Sequence, residues 1–325
     1  MDVAGIGWPC VDELISIEKL PVTDRGARTL ESSWQYGGKV PTALVALARL
    51  GYKTAIYANV GGIFGRLIRL DFERHGVDCS YLRDIPGTNS GLSLCLAEKS
   101  TGGRSFIGLR TPNGVPSITV EDLDKHTLLQ ANWLLISNLD ETTTQAAQWF
   151  KEAGKPVVID ADHFRPESLD RLHLVDHFLA SEYTYNTLTD GSDQYEKNLR
   201  TIRKYQKNDS VVTVVTLGAK GLVGLDEKGE FFEIPAYKVD VIDTTGAGDV
   251  FHGAYIAGRL EGYNAKEACR FAQAVAAVKC TKLGGRAAIP TLEQTKEFME
   301  TGRVDFPELD ERAAYYRELP FDRVK

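Results

Sequence analysis

Apolar residues along this chain fall into two alternating patterns. Short unbroken runs rich in β-branched residues, at 55–60, 133–136, 157–159 and 211–216, predict strands buried on both faces. Between them, apolar positions recur at helical spacing over 41–50, 64–75, 143–153 and 195–207. Such alternation predicts an α/β fold: a doubly wound, mostly parallel sheet with helices on both faces. Two segments break the rhythm. Residues 12–36 are polar and poor in helix signal, and 90–110 predict a hairpin, Leu92–Glu98 and Arg104–Leu109, about a turn at 99–103. Together they predict a small β-sheet lid on a single domain spanning 1–325, as suits a site that closes on its substrate. Edge strands without that role fit the composition equally well. Residues 304–325 carry mixed charge with Tyr315, Tyr316 and Phe321, and predict a C-terminal extension docked on the surface.

Composition narrows the function. The 325 residues are 43% hydrophobic and 26% charged, with a formal net charge of −7. No basic stripe offsets that total, which argues against a nucleic-acid partner. No apolar run reaches the roughly 18–20 residues that cross a bilayer, and the opening residues lack the positive region of a secretion signal. The five cysteines have no Cys-x-x-Cys spacing, so reduced thiols in the cytoplasm are expected.

Chemistry concentrates in Asp243-Thr244-Thr245-Gly246-Ala247-Gly248-Asp249, which follows a strand-like run at 237–242 and opens a helical pattern over 250–260. Small residues at a helix start leave backbone N–H groups open to a close anion, and the helix dipole adds favourable charge. An acid beside such a cradle repels a phosphate unless it has work to do. Accepting the proton of an attacking hydroxyl is such work. A glycine-rich N-cap with Asp249 as a first-turn acid accounts for the same residues without chemistry.

The ordered run at 243–253 closely resembles the C-terminal signature of the ribokinase-like (PfkB) carbohydrate kinases. Gly37-Gly38, ahead of a helix closing on Ala48-Arg49-Leu50-Gly51, resembles that family's N-terminal signature. Thr216-Leu217-Gly218-Ala219-Lys220-Gly221 resembles its nucleotide-side strand and turn, and residues 5–12 resemble its first strand, ending in a substrate-contacting acid. The resemblance implies transfer of the γ-phosphoryl group of ATP to a sugar hydroxyl, with Mg²⁺ carried mainly by the nucleotide. It implies Asp249 as catalytic base and the amides of Gly246, Ala247 and Gly248 as the anion hole. Asp12, Gly37 and Gly38 would contact the sugar, and Thr216, Gly218, Gly221 and Ser181 would lie along the nucleotide. Asp243 and Thr245 would belong to a loop holding a monovalent cation such as K⁺, completed by backbone near 282–286. A homodimer through the β lid is also implied. Neither a Walker A motif nor Asp-Phe-Gly occurs, which disfavours the commoner kinase chemistries.

The departures from the family pattern are informative. Thr42 stands where most relatives carry a sugar-gripping Asn, and Ser181-Glu182-Tyr183-Thr184 stands in place of Asn-x-x-Glu, leaving Glu182 as the candidate to organise Mg²⁺-bound water. Asp160-Ala161-Asp162 replaces Asp-x-Asn. These features resemble the sulfofructose kinase and ketohexokinase-like branch, and imply a ketose or ketose derivative as substrate. Lys39 and Arg28, with Arg110 nearby, are cations able to meet an anionic group in the room left by Thr42; solvated surface charge is the alternative. Trp8 reads as pocket floor or core, Cys280 as packing, Asp140 and Glu141 as loop acids at the sheet's edge, and His252 as a structural residue facing away from Asp249. A ribokinase or a nucleoside kinase on the same fold remains open, the latter needing a base-stacking aromatic among Trp34, Tyr36 and Phe106. A non-catalytic sensor of sugar or nucleotide is a further alternative, against which the intact Asp249 speaks.

Overall fold

The computed structural model describes residues 1–100, 104–109, 111, 113–208 and 210–324. Among these, the strands β1 (Val3–Ile6), β2 (Cys10–Ile17), β3 (Thr29–Gly37), β4 (Thr54–Val60), β5 (Leu82–Asp84), β6 (Leu92–Glu98), β7 (Arg104–Leu109), β8 (Trp133–Ile136), β9 (Val157–Ala161), β10 (His177–Ser181), β11 (Val212–Thr216), β12 (Leu222–Leu225) and β13 (Phe231–Ile234) form two sheets. The larger has nine strands in the order β13-β12-β11-β10-β9-β8-β1-β4-β5. Its pairings from β11 through to β5 are parallel, and β12 and β13 add an antiparallel edge.

Successive residues of the central strands divide between two hydrophobic clusters. Val3, Ile56, Leu135 and Val158 face one, together with the helices Lys39–Arg49, Ala247–Leu260 and Ala265–Lys279. Ala4, Ala55, Leu134 and Val157 face the other, with Glu141–Glu152 and Tyr195–Arg203. Both faces are therefore dry, which is why these strands read as continuous apolar runs.

The second sheet has the order β3-β2-β6-β7. Its β6–β7 hairpin lies where the pattern predicts it. The polar stretch at 12–36 folds as most of β2 and β3, with Asp12 opposite Gln35 and Cys10 opposite Gly37. β2 and β6 pair in parallel, a contact between distant segments that no local pattern announces. Arg110 and the hairpin turn at 101–103 lie outside the described residues.

Two expectations are corrected. Residues 237–242 form no strand: Val241 and Ile242 are exposed, and the Ile242 N–H donates to the Cys280 carbonyl rather than to a strand neighbour. Tyr237 instead packs on Phe298, with ring centroids 5.1 Å apart. The C-terminal helix Pro307–Arg317 is more than a surface attachment, because Tyr316 is wholly buried and its hydroxyl donates to Asp71 Oδ1 at 2.8 Å. No helix among the described residues is long and apolar enough to cross a membrane.

Candidate active site

Ligands of open α/β sheets bind beyond the carboxyl ends of the strands. There, β9 ends beside Asp160 and Asp162, β10 at Ser181 and β11 at Thr216. The helix Ala247–Leu260 starts from Gly246, whose φ of 71° is a left-handed conformation that favours glycine. Gly246 thereby turns the chain so that small residues, Ala247 and Gly248, occupy the first helical positions, with Asp249 in the same turn. An ideal Cβ on Gly248 would lie 3.2 Å from Asp162 Oδ2, so the backbone at the helix start and that carboxylate are neighbours. Burial, then the charges of Asp160 and Asp162, push the Asp249 carboxyl up to about 7.

Behind Asp249 lies a group of charges whose assembly the sequence did not announce. Asp160, Asp162 and His252 have ligand atoms within 4.8 Å of one another. His252 Nδ1 lies 2.9 Å from Asp160 Oδ2. Neither atom has another hydrogen-bond partner among the described residues. Lys39 Nζ is 3.9 Å from Asp160 Oδ1. Burial would raise Asp160, but His252 and Lys39 hold its carboxyl below the usual range. Burial and Asp160 push Asp162 up. Burial would lower His252, yet Asp160 holds the imidazole above its ordinary value. His252 therefore faces the acids rather than turning away from Asp249. It follows Asp249 by three positions, and residues so spaced share a helix face.

On the opposite side, Asp12 lies under Gly37, where an ideal Cβ would meet Asp12 Oδ2 at 1.9 Å. Burial pushes the Asp12 carboxyl to about 6, against the lowering effect of the Cys10 thiol, which donates to it at 3.5 Å, and of Arg286. Gly38, with φ 95°, caps the helix Lys39–Arg49 against the Trp8 carbonyl, while the Trp8 ring itself is 43% exposed and so is not core.

The space at Thr42 is filled by Arg286, whose part in the site has no local signal in the sequence. Its guanidinium is 0% exposed. It donates from Nε to Thr42 Oγ1 at 3.4 Å, from Nη1 to Asp71 Oδ2 at 2.5 Å and from Nη2 to the Gly37 carbonyl at 3.2 Å. Lys39 and Arg28 therefore do not occupy that room: Lys39 is directed to Asp160, and Arg28 is exposed in the stretch before β3.

The chain matches the model of the pfkB family carbohydrate kinases over residues 8–292. It is 31% identical over 271 residues to the ribokinase of Haemophilus influenzae, covering 82% of this chain and 87% of that protein. The chain belongs to the pfkB family of carbohydrate kinases. The fold is similar to that of the Arabidopsis thaliana ribokinase complexed with ribose and ATP (TM-score 0.76, 24% identity, 92% of this chain and 98% of that one). It is likewise similar to the Xylella fastidiosa fructokinase with bound ATP (TM-score 0.75, 21% identity, 93% and 99%).

As a carbohydrate kinase the chain is a phosphotransferase with an alcohol acceptor. The chain turns tightly after β11: the Leu217 N–H donates to the Gly221 carbonyl at 2.7 Å around the short turn Gly218–Lys220, and the Thr216 hydroxyl donates to the Ala180 carbonyl at 3.3 Å. Ser181 caps the helix Glu182–Leu188, and its hydroxyl donates to the Asp162 carbonyl at 3.0 Å. Glu182 forms an exposed ion pair with Lys220 at 3.1 Å and is not part of the acid group around Asp160. Asp140 caps the helix Glu141–Glu152 by accepting from the Thr143 N–H. Two of the kinase's second-sheet aromatics are committed to the C-terminal segment, Trp34 against Phe321 and Tyr36 against Tyr316, and Phe106 is exposed. The loop expected to hold a monovalent cation already contains one of its own: Lys279 Nζ donates to the Asp243 carbonyl at 2.9 Å.

Proposed function

We propose that this carbohydrate kinase transfers the γ-phosphoryl group of ATP to a hydroxyl of an uncharged ketose, with Asp249 as the base. The observation that carries the reading is Asp249 itself, in the first turn beside Gly246–Gly248, with its carboxyl pushed to about 7. A base of that strength takes the proton of the attacking hydroxyl near neutral pH. The amides of Gly246, Ala247 and Gly248 stabilise charge on the transferring group. Asp12, Gly37 and Gly38 hold the sugar, Thr216, Gly218, Gly221 and Ser181 lie along the nucleotide, and the second sheet closes as a lid that excludes water. Mg²⁺, which neutralises phosphate charge when bound, fits the oxygen donors of Asp160 and Asp162 better than Glu182, which is paired with Lys220. We further propose a cytoplasmic location, where ATP is supplied.

The substrate carries no anionic group in this reading. Arg286 fills the space at Thr42, and its charge is matched by Asp71. The ketose preference rests on Thr42, Ser181–Glu182 and Asp160–Asp162. Ribose is the second reading, favoured by the 31% identity to a ribokinase. A nucleoside loses support because Trp34 and Tyr36 pack elsewhere. Under one buffer, kcat/KM for fructose and tagatose should exceed that for ribose, adenosine and the 6-phospho ketoses by about tenfold or more, since a site built to bond particular groups rejects analogues lacking them. Ribose ahead by that margin replaces the ketose with a pentose.

We also propose that two copies pair through their lid sheets. Phe106, Ile107 and Leu109 of β7 and Leu30 of β3 are exposed apolar side chains on that sheet, a surface that a partner would cover. Sedimentation should give twice the chain mass for the wild type and the single mass for Phe106→Asp. A monomeric wild type removes the dimer.

A further inference from the structure

Lys279 ends the helix Ala265–Lys279, and its side chain is 0% exposed. A charged ammonium persists in the interior only where oxygen atoms and a counter-charge replace its water. Both are supplied by one residue of the signature. Lys279 Nζ donates to the Asp243 carbonyl at 2.9 Å and lies 4.0 Å from Asp243 Oδ2. The Asp243 carboxylate in turn accepts from the Thr245 N–H at 2.9 Å, from the Thr245 hydroxyl at 2.7 Å and from the Gly284 N–H at 2.9 Å. Burial would raise this carboxyl, but Lys279 and those amides hold it below its usual range.

The ammonium thus holds Asp243, whose carboxylate carries the bonds that join 243–245 to the 284–285 loop, immediately ahead of Gly246. An ideal Cβ on Gly246 would lie 3.1 Å from Gly285 Cα, so the two loops are in contact. K⁺ in this place would need the same Asp243 oxygens, and a second positive charge within a few ångströms of a buried ammonium is strongly repelled. The residues do not fit a resident monovalent ion.

We propose that Lys279 is a tethered cation that holds the Asp243–Gly246 loop, and with it the anion hole, so that this kinase works without activation by K⁺. Lys279 is a positioning residue: it acts through Asp243 and touches neither sugar nor nucleotide. The inference rests on the proposed kinase reading, and one arm of its test does not depend on turnover.

The wild type should phosphorylate its sugar at the same rate, within about twofold, in potassium chloride and in tetramethylammonium chloride at equal ionic strength. Its melting temperature should be equal in the two salts. Lys279→Met should be at least about tenfold slower in tetramethylammonium. Both its rate and its melting temperature should rise saturably on adding K⁺ or NH₄⁺, small cations able to enter the vacated place. If Lys279→Met does not fold, Lys279→Gln takes the same test. Several-fold activation of the wild type by K⁺ overturns the proposal. So does a folded variant that is fully active in tetramethylammonium, or one whose lost rate no small cation restores. If no sugar is phosphorylated in any salt, the kinase reading fails, and the melting temperatures alone still decide whether Lys279 stands in for an ion.

Discussion

Replacing Asp249 by Asn lowers kcat by at least about a hundredfold, the loss expected when a general base is removed, while folding and ATP binding stay nearly intact. Asn keeps the size and hydrogen-bonding shape of the side chain but cannot accept the hydroxyl proton. The variant also has a pH signature. With the Asp249 carboxyl at about 7, wild-type kcat/KM should fall as pH drops below neutrality, because the base becomes protonated. Asp12, at about 6, should steepen the fall further down. The Asn variant should lose the limb near 7 and keep the lower one. Stability runs the other way. The folded enzyme binds the Asp249 proton more tightly than the unfolded chain, so the stability from this group is fully present below about pH 4 and is lost as pH rises through about 7. Near-wild-type turnover in a folded Asp249→Asn protein would remove the base assignment and favour a non-catalytic sugar sensor.

The largest stability effect is expected at Asp71. This carboxylate is wholly buried, accepts from Arg286 and from the Tyr316 hydroxyl, and lies 3.6 Å from His75 Nε2. Burial would raise it, but His75 and Arg286 hold it far below the usual carboxylate range, and the Arg286 guanidinium donates directly to it. Asp71→Asn keeps the shape and strands the guanidinium without a counter-charge, at about 3–5 kcal/mol. Because Arg286 also donates to Gly37 and Thr42, the sugar KM should rise as well. In urea unfolding, the double variant Asp71→Leu, Arg286→Met should recover much of the stability lost by Asp71→Asn, since a buried ion pair replaced whole by apolar groups is often neutral. A loss below about 1 kcal/mol in Asp71→Asn would mean that Arg286 is neutralised by another group.

By itself the sequence determined the features that depend on neighbours along the chain. The strands buried on two faces, the helices between them, the β6–β7 hairpin and the helix start at Gly246 all follow from runs, periodicity and glycine placement. The same locality put Asp249 beside Gly246–Gly248, so the centre of the candidate site was legible before any fold was known. His252 was legible too, through its three-residue spacing from Asp249, but was read on the wrong face. Tertiary structure alone decided what the charges do. Arg286 meets Asp71 and Thr42, Lys279 meets Asp243, and Tyr316 reaches Asp71 from the C-terminal helix. A buried charge is defined by its partners, and these partners come from segments far apart in the chain. Along the sequence alone, each of these residues carries only its usual preference for the surface.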